Sequence, residues 1–253
     1  MGRVAQYLRK QIEAKGAAYL ILIDPDKIHK QDFAEFIKTA EEAGVDGFLV
    51  GGSLLFSKEL EEVIGVIKSH TTIPTIIFPG ALSQIVPNAD ALLYISLVSG
   101  RNPEHLIGKH VLAAPVIKRA GLETLSTGYM LIESGSRTTA EYMSGSLPIP
   151  ANKPDIAVAT ALAAQFMGMQ FIYLEAGSGA QKPVPFEMVQ AVSSHCDIPV
   201  IAGGGIRNAD VAAKMVASGA KIIVTGNYFE KKEHWPLIKE FAEAVHIKTK
   251  ILL

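Results

Sequence analysis

A chain of 253 residues, 49% of them hydrophobic, has the length of one large α/β domain and enough apolar content for a sizeable core. Its 24 Lys+Arg against 25 Asp+Glu leave a formal net charge of -1, which excludes the basic excess of a nucleic-acid-binding surface. The single cysteine, Cys196, excludes an internal disulfide framework and fits a reducing compartment.

Residues 4–14 read as a short amphipathic helix, with no apolar h-region of a secretory signal around them. Gly2 and Ala5 loosely resemble a myristoylation start, but Gln6 stands where Ser or Thr is required. No apolar run approaches transmembrane length, so a soluble, cytoplasmic protein is expected. A strand over 19–23 ends in Asp24-Pro-Asp-Lys27. A helix over 32–43 closes on Gly44. The second strand, over 47–50, exits through Gly51-Gly-Ser53, and a helix over 59–69 leads to a third strand over 74–78. A fourth strand over 91–95, a partly helical stretch over 103–119 and a fifth strand over 125–132 follow.

Residues 134–154, rich in Ser, Gly, Thr and Pro, are the least regular part and suit a mobile loop with a broken helical turn. Beyond them come an Ala-rich helix over 155–167 and a sixth strand over 171–174. Helices over 185–194 and 208–218 flank a seventh strand over 198–202, and an eighth strand over 221–225 precedes a last helix over 235–245. Strands and helices alternate throughout with no linker, which predicts a single-domain (β/α)8 TIM barrel over 1–253. A doubly wound open sheet is the runner-up. Against it, Gly203-Gly-Gly205 does not continue into a G-x-G-x-x-G run with an acidic residue at the proper distance. A faint echo between residues 43–53 and 218–227 suits equivalent units of a repeated barrel.

Active groups of a barrel lie at the C-terminal strand ends. Glu175 closes the sixth strand, where core packing gives no reason for a carboxylate, and is the candidate general base. The structural alternative is an ion pair with Lys182 or Arg207. Tyr173 precedes Glu175 by two and faces the same side of the sheet, which the carboxylate marks as the barrel interior. Gly177-Ser-Gly179, Gly203-Gly-Gly205 and Gly226-Asn227 follow three successive strands, a pattern suited to one phosphate site built from backbone N–H groups. Three ordinary strand-to-helix turns are the bland alternative. Asn227 either hydrogen-bonds a phosphate or substrate hydroxyl or caps a turn. Asp24 suits Mg²⁺, which takes one or two carboxylates plus substrate phosphates and water. Otherwise it caps the turn with Pro25, a task Asp26 can perform alone. Ser53 can add a hydroxyl to the same ion. The seven histidines are scattered, with no H-E-x-x-H and no Cys partner for zinc. His105 and His110 are too far apart to share a helix face closely, so these residues read as surface or packing.

Taken together, Leu22-Ile-Asp-Pro-Asp-Lys27, Val50-Gly-Gly-Ser53, Tyr173-Leu-Glu-Ala-Gly-Ser-Gly179, Ala202-Gly-Gly-Gly-Ile206 and Thr225-Gly-Asn227 resemble the geranylgeranylglyceryl phosphate synthases and the related heptaprenylglyceryl phosphate synthases. The resemblance spans nearly the whole chain, and the 173–179 segment is its most specific part. It implies a TIM-barrel prenyltransferase that attaches a prenyl chain to sn-glycerol 1-phosphate as an ether. It further implies that Asp24 and Ser53 hold Mg²⁺ against the prenyl diphosphate. Glycerol 1-phosphate is implied at Tyr173, Leu174, Glu175, Ala176, Gly177, Ser178 and Gly179, with Gly204, Gly205, Gly226 and Asn227, Glu175 deprotonating its hydroxyl. Leu22 stands where the heptaprenyl enzymes carry lysine, which resembles the geranylgeranyl branch. The 127–133 strand and the 156–169 helix resemble the second of its two groups.

A long apolar tail needs a groove between the barrel top and the outer helices, with Tyr129 as its candidate lining residue and Phe78 nearby. The resemblance also implies a homo-oligomer and transient membrane proximity through the lipid product. Two rival readings stand beside it: a phosphosugar isomerase or lyase barrel, and a non-catalytic phosphate-ligand barrel.

Overall fold

Eight parallel strands pair in chain order, and the last closes on the first. They are β1 Ala18–Ile23, β2 Gly47–Val50, β3 Thr75–Ile77, β4 Ala91–Leu97, β5 Glu123–Leu131, β6 Phe171–Glu175, β7 Val200–Gly203 and β8 Ile222–Thr225. The coordinates are a computed structural model, which describes residues 2–56 and 59–247. Closure removes the open-sheet alternative. Both faces of each strand are covered, which is why the strands read as near-continuous apolar runs. Along β6, Phe171 and Tyr173 point into the barrel while Ile172 and Leu174 pack under the helices.

The helices are α1 Arg3–Lys15, α2 Phe33–Glu42, α3 Leu60–His70, α4 Lys109–Ala120, α5 Thr139–Ser144, α6 Pro154–Phe166, α7 Phe186–His195, α8 Ala209–Ala217 and α9 Ile238–Val245. None of the described helices is long and apolar enough to cross a membrane. Helix α1 plugs the N-terminal end of the barrel, its Val4, Ala5 and Leu8 joining the interior cluster. Its first turn is capped from a distance: Glu123, at the start of β5, accepts from the N–H groups of Val4 at 2.8 Å and Ala5 at 2.9 Å.

Strict alternation fails at one place. Between β3 and β4 the chain makes only a 3₁₀ turn, Leu82–Gln84, where a barrel helix belongs. The connection is short and carries Pro79 and Pro87, which cannot donate to a helical ladder. The irregular 134–154 region holds α5, capped by Thr138 accepting from the Glu141 N–H at 3.3 Å, and a parallel bridge between Ile132 and Ile149. The last helix starts later than its apolar pattern suggests, because Pro236 keeps Lys232–Leu237 in 3₁₀ turns.

At the bottom of the barrel, Asp46 is 1% exposed and ties three elements together. It accepts from Lys15 of α1, from the Tyr19 N–H of β1 at 2.8 Å and from His246 Nε2, just past α9, at 2.8 Å. Burial pushes its pKa up, but His246, Lys15 and the Tyr19 N–H outweigh it and hold the carboxyl below the usual range. A depressed carboxylate contributes stability above its unfolded pKa and loses it as pH falls. Asp46→Ala is therefore expected to cost about 3 kcal/mol at pH 7 in denaturant melts. The gap to the wild type should close below about pH 4; a gap independent of pH would refute the charge assignment.

Candidate active site

The C-terminal strand ends open into one cavity of about 860 Å³. Asp24 after β1, Ser53 after β2, Tyr129 on β5, Glu175 on β6, Gly204 after β7 and Asn227 after β8 all line it. The structure thus brings the sequence-derived residues together from six strands. Leu174 and Ala176 turn their side chains into the outer core, which limits them to backbone contact with a ligand. Tyr173, Ser178, Gly179, Gly205 and Gly226 also face the cavity.

Glu175 is 6% exposed and forms no ion pair with Lys182 or Arg207 among the described residues. Arg207 instead donates to the Ala180 carbonyl at 2.8 Å, lashing the glycine turn after β6 to the one after β7. Glu175 Oε1 accepts from the Gly177 N–H at 2.6 Å, and the hydroxyls of Tyr173 and Tyr129 also bond the carboxylate. Burial raises its pKa to about 7, against the lowering effect of those three donors. Burial and the Glu175 charge push both tyrosines well above their ordinary range, so they stay protonated donors at neutral pH. A carboxylate offers about four acceptor positions. Three donors leave room for one more hydroxyl.

The backbone of the glycine turns shows why the chain needs glycine there. Gly204 and Gly205 have φ of +81° and +69°, a left-handed pair that turns successive N–H groups to one side. Among the described residues, no hydrogen bond engages the N–H groups of Ser178, Gly179, Gly204 or Gly205. Gly177, by contrast, spends its N–H on Glu175 and orients that carboxylate.

Asp24, not Asp26, caps this turn. Its Oδ1 accepts from the Asp26 N–H at 3.1 Å, while Asp26 Oδ2 accepts from the Phe56 N–H at 2.7 Å. Asp24 Oδ2 lies 3.4 Å from Lys27 Nζ. Lys27 also reaches Glu230 Oε1 at 3.1 Å, and Asn227 Nδ2 donates to that same oxygen at 2.8 Å. Asn227 Oδ1 accepts from Ser178 Oγ at 2.8 Å, so Asn227 bridges two loops rather than capping a turn.

Away from these polar groups the cavity becomes apolar. Phe78, Tyr129 and Tyr173 form a cluster with ring centroids 5.2–5.9 Å apart. Tyr129 thus serves both the carboxylate and the apolar wall. Further out, Ile85, Tyr94, Ala113 and Ile117 line the space beside α4 and the 3₁₀ turn that replaces the missing helix. His105 and His110 both line it too, and His110 is a packing residue as expected, buried with its ring against Tyr94 and its Nε2 3.0 Å from Ser96 Oγ. The π-helical turn Glu104–Gly108 ahead of α4 brings residues five apart near one face. Burial lowers the pKa of both, and neighbouring Lys109 adds to the effect at His105.

Lys27 and Glu230 also line the cavity, and neither is marked as a site residue by the sequence. Both are charged residues in turns, which read as solvated surface until the fold sets them 3.1 Å apart.

These features define a class: a closed parallel barrel with unengaged glycine N–H groups at its strand ends and a buried carboxylate beside a long apolar cavity. The PcrB family model matches residues 9–245. A geranylgeranylglyceryl phosphate synthase from Chitinophaga pinensis is 47% identical over 241 residues, 95% of each chain. One from Pyrococcus horikoshii is 40% identical over 246 residues, covering 97% of this chain and 96% of its own. The crystal structure of (S)-3-O-geranylgeranylglyceryl phosphate synthase from Thermoplasma acidophilum, in complex with substrate sn-glycerol-1-phosphate, superposes with a TM-score of 0.89. It is 33% identical, with 98% of this chain and 99% of that one covered. The chain belongs to the PcrB family.

Proposed function

We propose that this prenyltransferase joins sn-glycerol 1-phosphate to geranylgeranyl diphosphate through an ether bond, releasing diphosphate, as a cytoplasmic step in making ether phospholipids. The observation that carries the reading is Glu175, buried with a pKa of about 7 between unengaged glycine N–H groups and an apolar cavity. The glycine turns after β6 and β7, with Asn227, hold the phosphate. Glu175 accepts the proton of the glycerol hydroxyl as its oxygen attacks the first allylic carbon, whose bond to diphosphate breaks. Positive charge developing on the allyl group meets the aromatic faces of Phe78, Tyr129 and Tyr173.

The residues present fit magnesium. Asp24 and Ser53 face one cavity, and the ion needs only a carboxylate or two from protein when substrate phosphates complete its shell. No cluster of three or more His, Cys, Asp or Glu offers another metal site among the described residues. When bound, magnesium supplies neutralisation of the leaving diphosphate. The same reading carries a homo-oligomer and brief membrane contact through the lipid product.

The test offers labelled glycerol 1-phosphate with geranyl, farnesyl, geranylgeranyl and heptaprenyl diphosphates, with and without Mg²⁺, and glycerol 3-phosphate as control. Label is expected in the organic extract with the geranylgeranyl donor and Mg²⁺ only. Asp24→Asn should raise the KM for the prenyl diphosphate at least about tenfold and spare binding of glycerol 1-phosphate. Saturable binding of glycerol 1-phosphate with no transfer from any donor would overturn the reading in favour of an isomerase.

A further inference from the structure

Glu230 takes no part in the chemistry above, yet it lines the cavity together with the glycine turns proposed to hold phosphate. A carboxylate there opposes anion binding through space, so it needs another reason to be present. The geometry supplies one. Glu230 Oε1 receives both Asn227 Nδ2, at 2.8 Å, and Lys27 Nζ, at 3.1 Å. An ionised carboxylate only accepts, so the Asn227 amide must present its nitrogen to Glu230 and its oxygen to Ser178. Ser178 then donates to Asn227 at 2.8 Å, which ties the turn after β6 to the one after β8. The second N–H of the amide is left pointing away from Glu230. Lys27, which also neighbours Asp24 at 3.4 Å, offsets the carboxylate charge.

We propose that Glu230 is a positioning residue: it fixes the amide orientation of Asn227, and through it Ser178, so that the two turns present donors to glycerol 1-phosphate. The inference deepens the functional reading above and rests on it. A bystander charge and a positioning residue predict opposite signs when the side chain is removed. Without Glu230, the Asn227 amide can rotate and Ser178 loses its fixed partner, while the through-space repulsion also disappears. Glutamine keeps an acceptor oxygen for Asn227 and removes the charge.

The experiment measures glycerol 1-phosphate binding by calorimetry without metal or prenyl diphosphate, alongside steady-state kinetics. Glu230→Ala should weaken binding about fivefold, the effect of one part-exposed charge-assisted hydrogen bond. It should raise the KM for glycerol 1-phosphate in proportion and leave the KM for the prenyl diphosphate within about twofold. Glu230→Gln should restore binding to within about twofold of wild type. Glu230 is 30% exposed on a surface turn, so thermal melts are expected to show both variants folded, with Glu230→Ser as a second truncation. Equal or tighter binding by the alanine variant, or equal loss in the glutamine variant, would overturn the positioning role. A wild-type protein that does not bind glycerol 1-phosphate at all would instead overturn the reading of the site.

Discussion

Glu175→Gln should lower turnover by about a hundredfold or more while glycerol 1-phosphate affinity stays within a few-fold of wild type. The amide is close in shape to the carboxylate and keeps the Gly177 N–H contact, but it cannot accept the hydroxyl proton. The wild-type pH profile provides an internal check. With a pKa of about 7, the base is ionised above neutrality and protonated below it. The wild-type kcat/KM should therefore fall about tenfold per pH unit on the acid side and level off on the alkaline side. The variant's residual rate should lose that limb.

The same substitution makes a second, opposite prediction. A carboxyl whose folded pKa is raised contributes stability below its unfolded pKa, and loses it as pH rises through the folded value. Between pH 4.5 and about 7 the folded wild type keeps a proton that the unfolded chain has lost, so its stability falls as pH rises through that window. Glu175→Gln carries no such burden, so it should be more stable than wild type by about 3 kcal/mol at pH 8, with little difference at pH 4. A variant that is slower yet more stable at alkaline pH identifies a residue kept for chemistry. Unchanged turnover would remove Glu175 from the base role, and unchanged stability would mean that it is not buried as an ionisable group.

Gly204→Val should abolish detectable glycerol 1-phosphate binding and cut turnover by on the order of a thousandfold. The cause is larger than a blocked phosphate. A Cβ at Gly204 would lie 2.5 Å from Glu175 Oε1 and 2.7 Å from the Gly177 nitrogen. Neither neighbour is the loose end of a flexible chain: they bond each other, and one is backbone. The variant therefore moves the base and the turn after β6 together. Part of the damage is strain, since φ is +81° and a β-branched residue there costs about 1–3 kcal/mol. Gly168→Ala separates the two effects, because φ is +85° there and an added Cβ meets nothing within 4 Å. That control should lose stability and keep full binding. Normal glycerol 1-phosphate affinity in Gly204→Val would take this turn out of the site.

The barrel was legible in the sequence, because parallel strands covered on both faces need apolar runs, and the β-turn-α rhythm survives in the spacing of those runs. The sequence also marked the candidate site: Glu175 stands out as a carboxylate ending a strand such as β6, and the glycines after β6, β7 and β8 stand out as a cluster of turns at successive strand ends. These signals are local, each carried by a few neighbouring residues. The missing helix after β3 leaves its trace in the shortness of the connection and in Pro79 and Pro87, a weaker signal than the alternation of the other units.

What the tertiary structure alone decided is pairwise and distant. Tyr129 and Glu175 lie on adjacent strands, yet no pattern in one strand announces a hydroxyl aimed at its neighbour. The placement of Asp24 as its own turn cap depends on Asp26 being engaged by Phe56, across a different loop. Lys27 and Glu230 are separated by 203 residues and meet only because β8 closes against β1. Barrel closure brings the first and last strands side by side, and a contact made by closure leaves no trace in local spacing.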